Sequence, residues 1–168
     1  MEKQLILLRH AKAEPGESGR PDYERILAPS GLDDAYRVGR YFALQGIDPD
    51  VILCSTASRT RQTESRVRAA TTLKAETLFL EELSLAPAED IVRVIRSFST
   101  EETQSLLVIG HNPGLEECVS LLTGEEVAMS TSALAIIGLK TGDFTQIGKG
   151  AGVLRGLVTP RSLPLSSD

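Results

Sequence analysis

Apolar residues along this chain fall into short runs that each stop at polar groups. Leu5-Ile6-Leu7-Leu8 stops at Arg9-His10, and Val51-Ile52-Leu53-Cys54 stops at Ser55-Thr56-Ala57-Ser58. Ser105 to Ile109 stops at Gly110-His111, and a weaker run spans Ala75 to Leu80. Such runs, bounded by charge or turn residues, read as buried strands. Between them the apolar spacing lengthens to that of a helix. Leu32, Ala35, Val38 and Phe42 predict one helix, with Ser30 as its N-cap, Asp33 completing an imperfect capping box, and Gly46 as its stop. Ser58 to Ala70 reads as a second helix, and Ala88 to Phe98 as a third through Ile91, Val92, Val94 and Ile95. Pro113 opens a fourth, with Leu115, Cys118, Val119 and Leu122 facing inward. Ala133 to Leu139 and Gly152 to Val158 read as two more strands, with a turn at Thr141-Gly142-Asp143 between the two. Strands alternating with helices predict an α/β fold: a three-layer α/β/α sandwich around a mostly parallel central sheet. Glu14 to Pro29 reads as a long functional loop, and 161–168 as a loose tail of a single domain covering 1–168.

Composition narrows the function classes. A length of 168 residues suits one domain with a real core, and 41% hydrophobic with 24% charged residues is ordinary for a soluble globular protein. The net charge of −5, with no basic stripe, argues against nucleic acid as a partner. No apolar run approaches the roughly 20 residues that span a bilayer, and no signal segment precedes the first strand, so no membrane partner is expected. Cys54 and Cys118 are too few for a disulfide framework and lie in apolar segments, which predicts buried free thiols and a cytoplasmic location.

In an open α/β sheet, ligands bind at the carboxyl ends of the strands. Three of the predicted strand ends carry Arg9-His10, Ser55 with Arg59 one helical turn on, and His111. The chain has only two histidines, and both stand at such ends. Two guanidiniums and two imidazoles make an anion box, and a phosphoryl group fits it best. Helix N-termini behind the second and fourth strands would add N–H donors. Arg59, Arg61, Arg66 and Arg68 crowd one segment; a solvated helix face accounts for most of them, and Arg59 is the anion-ligand candidate. A metal site built on the two histidines is disfavoured, because no carboxylate or cysteine sits near either at ligand spacing.

These motifs resemble those of the histidine phosphatase superfamily, the phosphoglycerate-mutase-like fold. Leu8-Arg9-His10-Ala11-Lys12-Ala13 is similar to its Arg-His-Gly signature in the form used by SixA-like phosphohistidine phosphatases. Asp22, Arg25, Leu27 and Gly31 follow its spacing before the first helix. Ser55 to Thr63 resembles its Ser-x-x-x-Arg-x-x-Gln-Thr motif, with Thr56 where many members have Pro, and Gly110-His111-Asn112-Pro113 resembles its last motif. The resemblance implies a phosphatase that needs no cofactor and no metal. His10 would be the nucleophile that forms a phosphohistidine enzyme, while Arg9, Arg59 and His111 hold the phosphoryl oxygens. It implies a phosphorylated protein or a small phosphorylated molecule as substrate, with phosphohistidine preferred. A small-molecule phosphomonoesterase using Glu82 as general acid is the alternative, and a non-catalytic phosphate-binding module a further one. Glu81 and Glu82 also read as plain surface charges. Arg25 would either order the first loop or reach the phosphate, and Asn112 would cap the helix after His111. The chain is too short for the cap insertions of larger acid phosphatases, and shorter than typical mutases.

Overall fold

The structure is a computed structural model that describes residues 1–140 and 142–162. Its strands are β1 (Gln4–Arg9), β2 (Val51–Ser55), β3 (Thr77–Leu80), β4 (Ser105–Gly110), β5 (Leu134–Leu139) and β6 (Gly152–Val158). Its helices are α1 (Pro29–Gln45), α2 (Ser58–Ala70), α3 (Ala88–Ser97) and α4 (Gly114–Thr123). Thr141 of the expected turn, and 163–168 of the expected loose tail, lie outside the described residues.

The apolar runs of β1, β2, β4 and β5 form strands that bury both faces, whereas the edge strands β3 and β6 are only partly covered. Leu5, Ile6, Leu7 and Leu8 are all fully buried. Leu5 and Leu7 face a core shared with α3 and α4, through Val92, Ile95, Leu115 and Leu122. Ile6 and Leu8 face the opposite core, with Val38 and Phe42 of α1 and Val67 of α2. Two-residue alternation thus feeds two apolar layers, and each fully buried Leu or Ile contributes about 1.5–3 kcal/mol. Gly39 lets α1 settle on α2: a Cβ there would collide with the Val67 carbonyl and the Ala70 methyl.

The strand order is β3-β2-β4-β1-β5-β6. β1, β2, β3 and β4 pair in parallel, whereas β5 is antiparallel to both β1 and β6. The sheet is therefore mixed, with β5 alone reversed, and the expected α/β sandwich with a mostly parallel sheet is observed. The consequence for chemistry is that β2, β4 and β1 are side by side. Arg9 is level with Gly110, and Cys54 with Ile109, so His10, His111 and Ser55 emerge together at one sheet edge.

One helix start differs from expectation. Ser30 does not cap α1; the N-cap is Ala28, no side chain caps the helix, and Pro29 occupies its first turn. The Ala28 amide donates to the Lys12 carbonyl, and Gly31 packs so closely on that carbonyl that no Cβ would fit. The first loop thereby sets where α1 begins, and Pro29 supplies the helical φ without a side-chain cap.

Candidate active site

At this edge a cavity of about 450 Å³ is lined by Arg9, His10, Arg59 and His111, with Asp22, Arg25, Asn112 and Leu85 among its other walls. All four of the predicted site residues therefore meet. The His10 and His111 ring centroids are 5.3 Å apart. His10 is 8% exposed, and Arg59 and His111 are each 3% exposed.

Each ring is oriented by one neighbour that dictates where its proton sits. His10 Nδ1 lies 2.7 Å from the Ala11 carbonyl oxygen. A carbonyl only accepts, so Nδ1 carries the hydrogen and donates, and Nε2 keeps a free lone pair. His111 Nε2 lies 2.8 Å from Ser55 Oγ. That hydroxyl accepts from the Ala57 amide at 3.3 Å, and in the tautomer that gives its own hydrogen an acceptor it donates to Nε2. His111 then carries its proton on Nδ1, a buried atom with no partner within the protein. Arg9 Nε and Arg59 Nε are also buried and unpartnered. Three N–H groups without a protein partner thus sit on residues that line the cavity, beside a ring with a free lone pair, a set of groups suited to an oxyanion.

The remaining motif residues hold this geometry. Thr63 Oγ1 donates to the Arg59 carbonyl at 2.7 Å and accepts from the Ala11 amide at 3.0 Å, tying α2 to the His10 segment. Gln62 Oε1 accepts from the Leu27 amide at 2.6 Å and anchors the first loop. The Met129 carbonyl accepts from Arg9 Nη1 at 3.0 Å and from Asn112 Nδ2 at 2.8 Å, so one acceptor aligns both. Asn112 therefore does not cap α4, whose N-cap is Pro113 with no side-chain bond. The other arginines of α2 have structural roles. Arg61 lies over the Phe79 ring, Arg66 donates to the Leu32 carbonyl, and Arg68 pairs with Glu64 at 2.9 Å.

The pairing of Asp22 with Arg59 is the feature the sequence did not reveal. The Asp22 carboxylate accepts from Arg59 Nη2 at 3.0 Å and Arg25 Nη1 at 3.2 Å, and its backbone carbonyl accepts from Arg59 Nη1 at 3.0 Å. Partial burial works against its charge, but the bonds and charges of Arg25 and Arg59 outweigh it and hold the carboxyl below its usual range. Arg25 also donates through Nε to the Glu14 carbonyl, so it both orders the loop and faces the cavity. Glu82 is exposed and outside the residues that line the cavity; Leu85 of the same loop stands there instead.

Burial pushes His10 down to about 4, and nearby Arg59, Arg9 and Arg25 add to this against the Ala11 bond. Burial and then Arg59 and His10 push His111 down to about 3. Both rings are neutral in the folded protein where free imidazoles would be half charged. As pH falls below about 6.5 the unfolded chain takes up these protons first, so stability declines from there toward pH 4. Imidazole proton resonances of both rings should therefore hold their neutral positions at pH 6 and move only below about pH 5. Midpoints near 6.5 by NMR would contradict the burial argument.

The model of the histidine phosphatase superfamily (branch 1) matches residues 5–93. This chain belongs to that superfamily. An uncharacterised chloroplastic protein of Arabidopsis thaliana is 31% identical over 172 residues, covering 95% of this chain and 79% of its own. The crystal structure assigned as phosphohistidine phosphatase SixA of Agrobacterium tumefaciens is 28% identical, with a TM-score of 0.81 over 95% of this chain and 99% of its own. A protein histidine phosphatase SixA in complex with tungstate is 25% identical, also at a TM-score of 0.81, over 94% of this chain and 97% of its own. The fold is thus the phosphoglycerate-mutase-like one, and the protein is a phosphatase of the histidine phosphatase superfamily. Of the motif residues, Arg9, His10, Asp22, Arg25, Arg59, His111 and Asn112 line the cavity. Among the described residues no three His, Cys, Asp or Glu side chains cluster as a metal site, and no helix is long and apolar enough to cross a membrane. Cys54 and Cys118 are buried free thiols, and burial pushes both up, Cys118 to about 12.

Proposed function

We propose that this phosphatase hydrolyses phosphohistidine on a protein substrate through a covalent phosphohistidine on His10. The observation that carries the reading is the pairing of the carboxylate in the cavity wall. Among the described residues Asp22 is the only carboxylate that lines it, and two guanidiniums keep Asp22 ionised. An alkoxide leaving group needs a proton donor, whereas an imidazole departs with little help. A P–N bond therefore suits this site better than an alkyl ester.

In the first step His10 Nε2 attacks phosphorus in line, its bond to phosphorus forms, and the bond to the substrate imidazole breaks. The departing ring takes its proton from solvent. Arg9, Arg59 and the Nδ1–H of His111 hold the three equatorial oxygens, whose charge must be stabilised throughout. In the second step water attacks the same phosphorus and gives a proton to solvent, the P–Nε2 bond breaks, and inorganic phosphate leaves with His10 regenerated. No metal or cofactor enters this scheme. Two buried thiols support a reducing compartment, and the cytoplasm is the location proposed.

A series of leaving groups tests the proposal, measured in the presence of EDTA. Phosphohistidine should react fastest, activated aryl phosphates more slowly, and sugar phosphates barely. Glu82→Gln should change phosphohistidine turnover by less than about threefold, against the roughly 10²–10⁴-fold that a general acid supplies. Brisk wild-type hydrolysis of sugar phosphates that collapses in this variant would establish the phosphomonoesterase reading instead.

A further inference from the structure

Leu85 is a large apolar side chain that is 60% exposed, yet it lines the same cavity as His10, Arg59 and His111. Its backbone has φ 52, the left-handed region that side-chain-bearing residues rarely adopt. Its neighbours leave it no freedom. Leu83 is buried in the core beside α3 and α4, and Ala86 is also buried. The Ala86 carbonyl rests so closely on Gly114 that a Cβ there would collide with it, and Gly114 begins the helix that follows His111. The Ala86 amide bonds back to the Leu83 carbonyl, closing the turn. The loop is thus anchored on both sides, and between the anchors it turns one leucine outward at the mouth of a cationic pocket. Packing gives no account of this, since a glycine would meet the same backbone with less strain and little burial would be lost.

We infer that Leu85 is a specificity residue that contacts the leaving group and selects flat, weakly hydrated aromatic or heterocyclic groups over small hydrophilic ones. The inference rests on the proposed use of a P–N heterocycle, which it deepens. A leucine at the mouth offers dispersion contact to a ring face and offers nothing to a hydroxyl or an ammonium. The phosphoryl group is held deeper, by Arg9, Arg59 and His111, so Leu85 acts on the part of the substrate that departs.

The test compares wild type, Leu85→Gly and Leu85→Met on two probes with one phosphoryl group: 4-nitrophenyl phosphate and phosphoramidate. Leu85→Gly should lower kcat/KM for the aryl probe about tenfold and leave phosphoramidate within about twofold. Its Tm should be equal to or above that of wild type, because the left-handed backbone is relaxed. Leu85→Met, still apolar, should keep the wild-type ratio between the probes. An unchanged ratio in Leu85→Gly, or equal loss on both probes with a lowered Tm, overturns the inference. A phosphohistidine-bearing protein as a third substrate separates the two claims. A wild type that ignores it, yet shows the Leu85-dependent ratio, refutes the proposed substrate and upholds the role of Leu85.

Discussion

Replacing His10 with Ala should abolish turnover, by on the order of 10⁴-fold or more, and leave the fold standing. The loss is large because Nε2 of this ring keeps a free lone pair in a residue that lines the cavity, its Nδ1 hydrogen being committed to the Ala11 carbonyl. The fold survives because the main-chain bond from His10 to the Gly110 carbonyl is untouched by the change. The ring also lies at a strand end rather than inside either apolar layer. Circular dichroism and thermal melting check the second half of the expectation. For the first, wild type quenched during turnover should carry a phosphoryl group stable to alkali and lost in acid, as a phosphoramidate is, and the variant should carry none. Substantial activity in His10→Ala would end the assignment of His10 as nucleophile.

Arg59→Lys should be nearly as damaging, although it keeps the charge. The Arg59 fork uses both terminal nitrogens on Asp22 and leaves Nε buried without a partner. An ammonium is a single point donor and cannot serve the loop and the phosphoryl group together. The expected loss in kcat is on the order of 10²–10³-fold, the range for removing a preorganised donor from an oxyanion. Tungstate, with which the similar SixA structure is complexed, should inhibit wild type and bind much more weakly to the variant. Thermal stability should fall modestly, because the Asp22 loop loses an anchor. A variant with wild-type kcat and undiminished tungstate inhibition would show that Arg59 serves only the loop.

The pH behaviour of the two histidines shows why burial and reactivity are linked here. An exposed imidazole would be largely protonated in mild acid and unable to attack. At 8% exposure and beside three arginines, His10 keeps its lone pair down to about pH 4. Burial first, and then the arginines proposed to bind the oxyanion, keep the proposed nucleophile neutral.

The elements of this fold were legible in the chain because each depends on local pattern. Four consecutive apolar residues at 5–8 cannot sit anywhere but a strand covered on both faces, and the 3.6-residue spacing of Ala35, Val38 and Phe42 leaves one buried stripe for α1. The same holds for the site's positive half. Arg9, His10, Arg59 and His111 each follow a strand end directly, or by one helical turn, so parallel strands were enough to bring them together. What sequence could not show depended on groups distant along the chain. The direction of β5 is such a case, because an apolar run looks the same whichever way it pairs. Ser30 had the composition of a cap, but contacts between the first loop and Gly31 set the start of α1 elsewhere. Asp22 could be counted as a carboxylate but not seen as the partner of Arg59. Glu82 and Leu85 are a further case. The resemblance offered the glutamate as an alternative acid beside its reading as a surface charge, whereas the anchoring of Leu83 and Ala86 and a left-handed turn between them placed the leucine at the pocket. Sequence determined which groups could bind and attack a phosphoryl group. Only the tertiary structure decided which atoms were already paired, and so which remained free to react.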